Sequence, residues 1–237
     1  MGKLIAIRHG QSTWNAENRF TGWVDVDLSE KGVIEAEKSG KFIKELNLNY
    51  DLCFTSYLKR AIRTLEIIQK IIGNNNEYIK AWELNERHYG ALTGLNKTET
   101  KKKLGEKKFK MYRRSWDNPP DALDPKSEYS VHNDPLYKDL KNLPYTESLK
   151  NTYERVVPYF QKNIKKHLEQ NKNLILSAHG NSLRALFKYL FNISDLKIND
   201  LEIPTGNPLI IFFDKNIKIQ DYYYLDKDRE RKIIFNQ

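Results

Sequence analysis

Short apolar runs alternate with longer amphipathic segments along this chain, and that alternation restricts the fold more than any other feature of the sequence. The apolar runs have the length of strands, and the longer segments repeat their apolar residues at helical spacing. The predicted strands are residues 3–8, 52–56, 78–82 and 174–178. The predicted helices are residues 29–46, 58–72, 149–168 and 182–190. Strands joined through helices imply right-handed crossovers, so we predict an α/β three-layer sandwich, with helices on both faces of a mainly parallel central sheet.

A long insertion and a C-terminal hairpin complete the predicted organisation. The hairpin pairs residues 209–213 with 217–224. The insertion, residues 87–145, is rich in Lys, Pro, Asp and Tyr and contains two short predicted helices at 97–104 and 106–115. A segment this long inside a compact domain usually has a functional reason. No flexible linker divides the chain, so we predict one domain spanning residues 1–237, in which the insertion forms part of a substrate pocket.

The composition narrows the class of protein without choosing a function. No stretch approaches the ~20 apolar residues of a membrane span, and the N-terminus turns polar too early for a signal peptide, so we expect a cytoplasmic protein with no membrane partner. The single cysteine, Cys53, excludes an intramolecular disulfide, and its apolar neighbours indicate a buried strand residue. The net charge of +9 suits nucleic acid, an anionic membrane or a small polyanion, and a general excess of lysine explains it equally well.

Charged and polar residues follow the predicted strands at the points where the strands end. Arg8 and His9 follow the first strand, Arg60 comes shortly after the second, Glu86 follows the third and His179 follows the fourth. Ligands of open parallel sheets bind beyond the carboxyl ends of the strands, so we expect these side chains to line one pocket.

Their chemistry suits phosphoryl transfer. A neutral imidazole is a nucleophile near neutral pH, and arginine offers a planar, permanently charged donor to the transferring group. We expect Gly10 to let the backbone approach an anion closely. No Asp/Asn/Gly calcium loop, Walker A sequence or His-x-x-x-His pair is present, so a metal-free mechanism is the simpler hypothesis. Taken singly, each residue has another interpretation: His179 as a hydrogen-bonded core histidine, Arg60 as a solvated helix residue.

Several longer segments then resemble one family. LIAIRHGQSTWNAENRFTGW at residues 4–23 is similar to the opening of the cofactor-dependent phosphoglycerate mutases of the histidine phosphatase superfamily. Other segments continue the resemblance in the same order along nearly the whole chain: TSYLKRAIRTL (55–65), ELNERHYGALTGLNK (83–97), YRRSW (112–116), AHGNSLRALFKYL (178–190) and IPTGNPL (203–209). Separate motifs in the right order make a chance match very improbable, so the chain is identified as a member of this family, with a phosphoglycerate mutase-like fold.

The resemblance implies a role for each matching residue. His9 would be the phosphorylated nucleophile, Glu86 the general acid and base, and Arg8, Arg60 and His179 the clamp on the phosphoryl group. The remaining residues would bind substrate: Asn15, Thr21, Gly22, Arg87, Tyr89, Lys97, Arg113, Arg114, Gly180 and Asn181. It also implies the reaction, the interconversion of 3-phosphoglycerate and 2-phosphoglycerate in glycolysis and gluconeogenesis through a phosphohistidine, and relatives of this kind are often homodimers or homotetramers. The cofactor it implies is 2,3-bisphosphoglycerate, the priming phosphate donor, with no metal.

Three alternatives remain open at this stage. A histidine phosphatase would share the same core residues, but the insertion with Lys97, Arg113 and Arg114 favours a mutase. A bisphosphoglycerate synthase is disfavoured by the intact Thr21-Gly22-Trp23. A nucleic-acid-binding protein would not need a complete catalytic set, so we expect no nucleic-acid partner.

The sequence departs from the family pattern in three places. The C-terminal tail is short and differs in sequence, Asn207 stands where an aliphatic residue is usual, and Gln11 stands where many members have Glu. We expect His88, His132 and His167 to lie outside the chemistry, on loops or solvated faces.

Overall fold

A single mixed sheet organises the part of the chain that the computed structural model describes, residues 2–233. Its strands are β1 (Lys3–Arg8), β2 (Leu52–Thr55), β3 (Tyr78–Lys80), β4 (Asn173–Ala178), β5 (Leu209–Phe213) and β6 (Ile219–Tyr224). The spatial order is β3-β2-β4-β1-β5-β6. Strands β3, β2, β4 and β1 are parallel, whereas β5 runs antiparallel to β1 and β6 antiparallel to β5. The predicted mainly parallel sheet is confirmed.

Helices cover both faces of the sheet, as predicted. The α-helices are α1 (Thr13–Ala16), α2 (Glu30–Glu45), α3 (Lys59–Ile72), α4 (Lys97–Leu104), α5 (Glu106–Arg114), α6 (Leu149–Tyr159), α7 (Lys165–Glu169) and α8 (Gly180–Leu190). Leu4 and Ala6 of β1 belong to the core that includes α6 and α8, whereas Ile5 and Ile7 belong to the core that includes α2 and α3. Alternate residues of a strand face opposite sides, so this division defines the three layers.

The structure corrects two predicted elements. The predicted helix at 149–168 consists of α6, a π-helical turn at Phe160–Ile164 and α7. Pro158 lies in α6 and has no N–H to donate to the preceding turn, and the helix widens directly after it. Strand β3 ends at Lys80, and the next residues form a 3-10 turn, Trp82–Leu84.

The face of α2 that packs against α3 consists mainly of small and polar residues. The sequence pattern predicts that Val33, Ala36, Phe42, Ile43 and Leu46 are buried, but only Ala36 and Ile43 are fully so. The other buried positions are Gly32, Glu35, Ser39 and Gly40. A Cβ on Gly40 would lie 2.9 Å from the Cδ1 atom of Ile71, so the close approach of the two helices requires a residue without a side chain there.

The insertion packs over the sheet edge around two small apolar clusters. Residues 97–114 form α4 and α5, which meet the loop after β1 in a cluster of Phe20, Leu92, Phe109 and Tyr112. A second cluster contains Trp23, Val131 and Tyr137. Both clusters join the insertion to residues 20–23, so the insertion forms a wall beside the carboxyl ends of the strands.

Cys53 lies fully buried on β2, which confirms its prediction as a strand residue. Burial raises the pKa of its thiol to about 12, so the thiol stays protonated at neutral pH. Within residues 2–233 no helix has the length and apolar character that crossing a membrane requires.

Candidate active site

A cavity of about 320 Å³ opens beyond the carboxyl ends of β1, β2 and β4. Among the described residues that line it, eight carry positive charge and two carry negative charge. The cations are Arg8, Arg60, Lys97, Arg113, Arg114, Arg184, Arg229 and Arg231, and the carboxylates are Glu86 and Glu202. The volume lies at the small end of ligand pockets, roughly 300–1,000 Å³. A cavity of this size and charge suits a small polyanion.

His9 lies at the floor of the cavity, directly after β1, and is only 2% exposed. Its Nδ1 lies 2.6 Å from the carbonyl oxygen of Gly10. A carbonyl can only accept, so Nδ1 carries the proton and the lone pair of the neutral ring is on Nε2. Burial, reinforced by Arg60 and Arg8, lowers the pKa of His9 well below its ordinary value. The ring is therefore neutral at pH 7 and has a free nucleophilic nitrogen.

His179 follows β4 and lies beside His9, fully buried. Its Nε2 is 2.7 Å from the hydroxyl of Ser56, and that hydroxyl accepts a hydrogen bond from the N–H of Leu58. Its Nδ1 has no hydrogen-bond partner among the described residues. Burial, Arg60 and His9 lower the pKa of His179 well below its ordinary value. Ser56 is the last residue of the predicted strand 52–56, but the sequence did not indicate a role for its side chain.

Two arginines stand beside these histidines, Arg60 fully buried and Arg8 partly buried. Arg60, on the first turn of α3, donates to the carbonyls of Val24 and Gly22, and Arg8 donates to the carbonyl of Ile203. The Nε atoms of both arginines are buried and have no hydrogen-bond partner within residues 2–233. Burial lowers the pKa of Arg60 to about 10, still far above neutral pH, so its guanidinium is charged. Two charged donors are thus available for an oxyanion.

Glu86 faces the same floor from the loop after β3. Its Oε1 accepts hydrogen bonds from the backbone N–H groups of Arg87 and Asn181, at 2.8 and 3.1 Å. Within the described part of the chain, no hydrogen bond reaches Oε2. Glu86 as a whole residue is 8% exposed and belongs to the cavity wall, so one of its carboxylate oxygens is available to a ligand.

The middle of the cavity holds most of the smaller predicted residues. Asn15, Thr21, Gly22, Gly180 and Asn181 all line it. Thr21 has a buried hydroxyl that finds no hydrogen-bond partner in the described part of the chain. Gly22 has a φ of +56°, which favours glycine, and its carbonyl accepts from Arg60. The side-chain amide of Asn181 donates to the hydroxyl of Tyr89, another lining residue, so this part of the wall is cross-linked.

The insertion contributes the outer cations. Lys97 and Arg113 line the cavity, and so does Arg114, which pairs with Glu202 at 2.7 Å. The ammonium of Lys97 donates to the carbonyl of Arg19. Burial, with Arg113 and Arg8 nearby, lowers the pKa of Lys97 to about 8.

Two predicted placements differ from the structure. Arg87 is fully buried behind the cavity wall, where it donates to the carbonyls of Tyr112 and Arg113, and it does not line the cavity. Gly10 does not line the cavity: its N–H donates to the hydroxyl of Thr64, and an added Cβ would collide with the backbone of Gly32. The glycine pair lets the loop after β1 cross the start of α2, and this packing contact explains the absence of a side chain.

Sequence reasoning missed several lining residues. Arg184 stands on α8, one turn after Asn181, and donates to its side-chain oxygen. Burial lowers its pKa to about 9, and no described residue accepts a hydrogen bond from its Nε. The other missed residues are Glu202, Ile203, Pro204, Thr205, Arg229 and Arg231. Position 184 on the helix face that carries Asn181 was a usable signal, whereas no sequence pattern relates the tail arginines to His9.

The unpartnered donors around the floor of the cavity all lack the same kind of partner, an oxygen atom that accepts a hydrogen bond. Buried polar groups normally find partners, yet Nε of Arg8, Arg60 and Arg184, Nδ1 of His179 and the Thr21 hydroxyl have none among the described residues. Their number and charge match the oxygens of phosphate and carboxylate groups. The arrangement combines a neutral imidazole nucleophile, a charged phosphoryl clamp and a carboxylate able to exchange a proton.

Comparison with known proteins agrees with this chemistry. A family model described as the histidine phosphatase superfamily (branch 1) matches residues 4–218. The chain belongs to the histidine phosphatase superfamily.

Two relatives within this superfamily carry the same name. A protein of Pelagibacter ubique called 2,3-bisphosphoglycerate-dependent phosphoglycerate mutase is 51% identical over 236 residues, which cover 99% of each chain. A protein of Treponema denticola with that name is 48% identical over 232 residues, which cover 97% of this chain and 94% of the relative.

Solved structures of histidine phosphatases share the fold. The mycobacterial glucosyl-3-phosphoglycerate phosphatase has a TM-score of 0.72 at 19% identity, with 94% of this chain and 96% of that chain covered. The match confirms the predicted fold.

Of the departures from the histidine phosphatase pattern, Asn207 has a structural explanation, whereas Gln11 has an acceptor role that Glu would fill equally well. The buried amide of Asn207 donates to the carbonyl of Asp226 and accepts from its N–H, at 2.9 and 3.1 Å, where an aliphatic side chain could do neither. Gln11 accepts a hydrogen bond from the hydroxyl of Ser29, which caps α2.

The start of the tail is fixed through Asp226. The Asp226 carboxylate binds Arg229, which also donates to the carbonyls of Thr205 and Gly206. Further along the tail, Ile233 is buried in the core, and Arg231 lies between these anchors at the cavity.

His88 lies on a loop, as predicted, but its side chain is buried and not solvated. It is 2% exposed, and burial lowers its pKa to about 4. Its Nδ1 accepts from the N–H of Gly90. His88 does not line the cavity.

Proposed function

We propose that this chain is a 2,3-bisphosphoglycerate-dependent phosphoglycerate mutase that interconverts 3-phosphoglycerate and 2-phosphoglycerate through a phosphohistidine at His9. The observation that carries the proposal is a buried, neutral His9 on the floor of a small cavity with eight cations, in a chain 51% identical over 99% of its length to a protein of that name.

His9 is the proposed nucleophile. Its Nδ1–H is held by the carbonyl of Gly10, so Nε2 has the lone pair that attacks phosphorus. Burial and the two nearby arginines keep the ring neutral, and a neutral ring is the form that can attack.

Arg8, Arg60 and His179 are the proposed phosphoryl clamp. A transferring phosphoryl group spreads negative charge over three equatorial oxygens. The unpartnered Nε atoms of the two arginines and Nδ1 of His179 supply donors that are fixed before the reaction begins. Their charge and orientation favour the transition state because no reorganisation is required.

Glu86 is the proposed general acid and base. It would take the proton of the attacking hydroxyl during transfer from His9 and return a proton to the departing oxygen in the reverse direction. Its Oε1 is held by two backbone N–H groups, which leaves Oε2 for this exchange.

The outer cations are the proposed site for the carboxylate and second phosphate. The bisphosphate carries about four to five negative charges near pH 7, which follows from a second phosphate pKa near 6. Lys97, Arg113, Arg114 and Arg184 supply the matching charge. Asn15, Thr21, Tyr89 and Asn181 add neutral hydrogen-bonding groups.

2,3-Bisphosphoglycerate, when bound, supplies the phosphoryl group that primes His9. The unpartnered donors and the cationic wall fit such a ligand. We further propose that the reaction needs no metal ion, and that the enzyme acts in the cytoplasm, as expected for a glycolytic step. By analogy with relatives, we propose a homodimer or homotetramer with no nucleic-acid or membrane partner.

The first experiment assays the isomerisation in excess EDTA, with and without trace 2,3-bisphosphoglycerate, for the wild type and His9→Ala. Activity that resists EDTA, rises with the bisphosphate and disappears in His9→Ala supports the proposal. Release of inorganic phosphate without isomerisation would assign the chain to the phosphatases instead. Activity lost in EDTA would reject the metal-free mechanism.

A further inference from the structure

Arg155 lies behind the loop that carries Glu86, outside the cavity. It stands on α6 with a side-chain exposure of 8%. Each of its five N–H groups has an acceptor. Nε and one NH2 hydrogen bind the carboxylate of Glu147, at 2.7 and 2.8 Å. The other three bind the carbonyls of Glu83, Asn85 and Glu86, at 2.7, 3.0 and 2.9 Å.

Glu147 binds the same loop at a point after Glu86 in the chain. Its side chain is 4% exposed, and Oε2 accepts from the backbone N–H of His88 at 2.7 Å. The backbone N–H of Glu147 donates to the carbonyl of His88. The Arg155–Glu147 pair therefore binds backbone groups on both sides of Glu86.

The carbonyl of Glu86 is bound twice. Besides Arg155, it accepts from the indole N–H of Trp23 at 2.6 Å, and the guanidinium of Arg155 lies 5.5 Å from the ring of that tryptophan. A backbone fixed on one side and a carboxylate held by two N–H groups on the other leave the Glu86 side chain little freedom to move. Misplacement of a reacting group by ~1 Å can cost on the order of 100-fold in rate.

Stability alone does not require an ion pair here. Replacing a buried ion pair by well-packed apolar residues is often neutral or stabilising. The arrangement uses instead the geometry of the guanidinium, because a lysine ammonium has three donors and cannot reach five acceptors in one plane.

We propose that Arg155, together with Glu147, positions Glu86 for proton transfer and thereby fits the enzyme to phosphate esters of alcohols, whose alkoxide leaving groups need a proton. Arg155 does not line the cavity, so it is a positioning residue. The inference rests on the proposed function in one respect, the role of Glu86 as general acid and base.

A double-mutant cycle tests whether Arg155 acts through Glu86. The four proteins are the wild type, Arg155→Lys, Glu86→Gln and the double variant. Rapid quench measures the transfer of the phosphoryl group from His9 to 3-phosphoglycerate. We expect Arg155→Lys to slow transfer by about 10- to 100-fold, with KM changed less than about 3-fold. In the Glu86→Gln background the same substitution should lower the transfer rate less than about 3-fold, because the proton transfer by Glu86 that Arg155 supports is already lost.

A second substrate separates positioning from general damage. The phosphorylation of His9 by p-nitrophenyl phosphate releases a weakly basic phenolate, which leaves without a proton. The burst of nitrophenolate should therefore change less than about 3-fold in Arg155→Lys. Equal slowing with both esters, or additive losses in the cycle, would overturn the inference.

Two further variants complete the design. Arg63→Lys makes the same exchange at a partly exposed ion pair with Asp27, and its activity should match the wild type. Glu147→Gln removes the pair's negative charge while keeping its shape. It should show the same ester selectivity, and it replaces Arg155→Lys if thermal melting shows that variant to be unfolded.

If the wild type releases phosphate without isomerisation, the proposed function fails, and the same cycle run on hydrolysis of phosphoglycerate still decides the role of Arg155.

Discussion

The imidazole rings of His9 and His179 lie 4.9 Å apart between centroids, with their planes at 60°. Each ring has one nitrogen bound to a protein oxygen, from Gly10 or Ser56, and the other nitrogen left for a ligand. Burial and Arg60 lower both pKa values, so two neutral rings pack together without charge repulsion. This pairing makes Ser56 the most direct test of the clamp.

Ser56→Ala should slow phosphorylation of His9 by roughly 5- to 20-fold, equivalent to ~1–2 kcal/mol for a lost buried hydrogen bond. The substitution removes the partner that orients His179. Ser177→Ala is the matched control, because its hydroxyl is buried and donates to the carbonyl of Ala61, not to a histidine. Rapid-quench detection of phosphohistidine measures both. Equal losses in the two variants would contradict a specific role for Ser56.

Lys97 should make substrate capture sensitive to alkaline pH. Its pKa is lowered to about 8, so the ammonium is present below pH 8 and loses its charge as the pH rises through that value. We expect kcat/KM for 3-phosphoglycerate to fall above pH 8 in the wild type. Lys97→Arg keeps its charge and should remove that fall. A profile from pH 7 to 9.5 decides the point, and an unchanged fall in Lys97→Arg would assign it to another group.

Arg231→Ala should raise KM for 3-phosphoglycerate about 3- to 10-fold and leave kcat nearly unchanged. Arg231 is exposed and lines the cavity, so its attraction is worth on the order of 1 kcal/mol and weakens with salt. Lys232→Ala is the control, an exposed neighbour that does not line the cavity. Initial rates at low and high ionic strength measure the effect. The prediction fails if both variants raise KM alike.

Asn207→Leu should destabilise the protein by about 2 kcal/mol, because it leaves the buried backbone N–H and carbonyl of Asp226 without partners. Arg229 and Arg231 should then lose their placement, and water should release more phosphate from His9. Urea unfolding and phosphate release measure the two effects. Lys38→Met, which removes only the half-exposed partner of Asp226, should cost less than about 0.5 kcal/mol. Unchanged phosphate release in Asn207→Leu would mean that the tail keeps its position without Asn207, and it would contradict the prediction.

Much of the fold was predictable because its signals are local. The apolar run at residues 4–7 and the amphipathic pattern of α3 indicate their elements without reference to the rest of the chain. The histidines at the ends of β1 and β4 follow from strand order alone, since parallel strands end at one edge.

Long-range contacts explain what the sequence could not predict. Glu35 is buried on α2 because its carboxylate accepts a hydrogen bond from the N–H of Gln11. Gln11 lies in a loop 24 residues earlier in the chain. Arg229 and Arg231 reach the cavity on a tail that is anchored by the bonds of Asn207 to Asp226, by the bonds of Arg229 to Thr205 and Gly206, and by buried Ile233. Arg87 lies beside Glu86 in sequence but is held behind the wall by carbonyls of α5. Periodicity contains no information about such partners.

The strand order also fixes when the site can form during synthesis. Strand β1, which leads into His9, lies between β4 and β5, and both of these neighbours begin after residue 172. At about 5–20 residues per second, the ribosome takes about 10–30 s to reach them. For that interval the apolar residues of β1 have no strand beside them, so the nascent chain is open to chaperones and to aggregation. A chain released before β4 is made contains His9 but lacks His179, the ring that packs beside it.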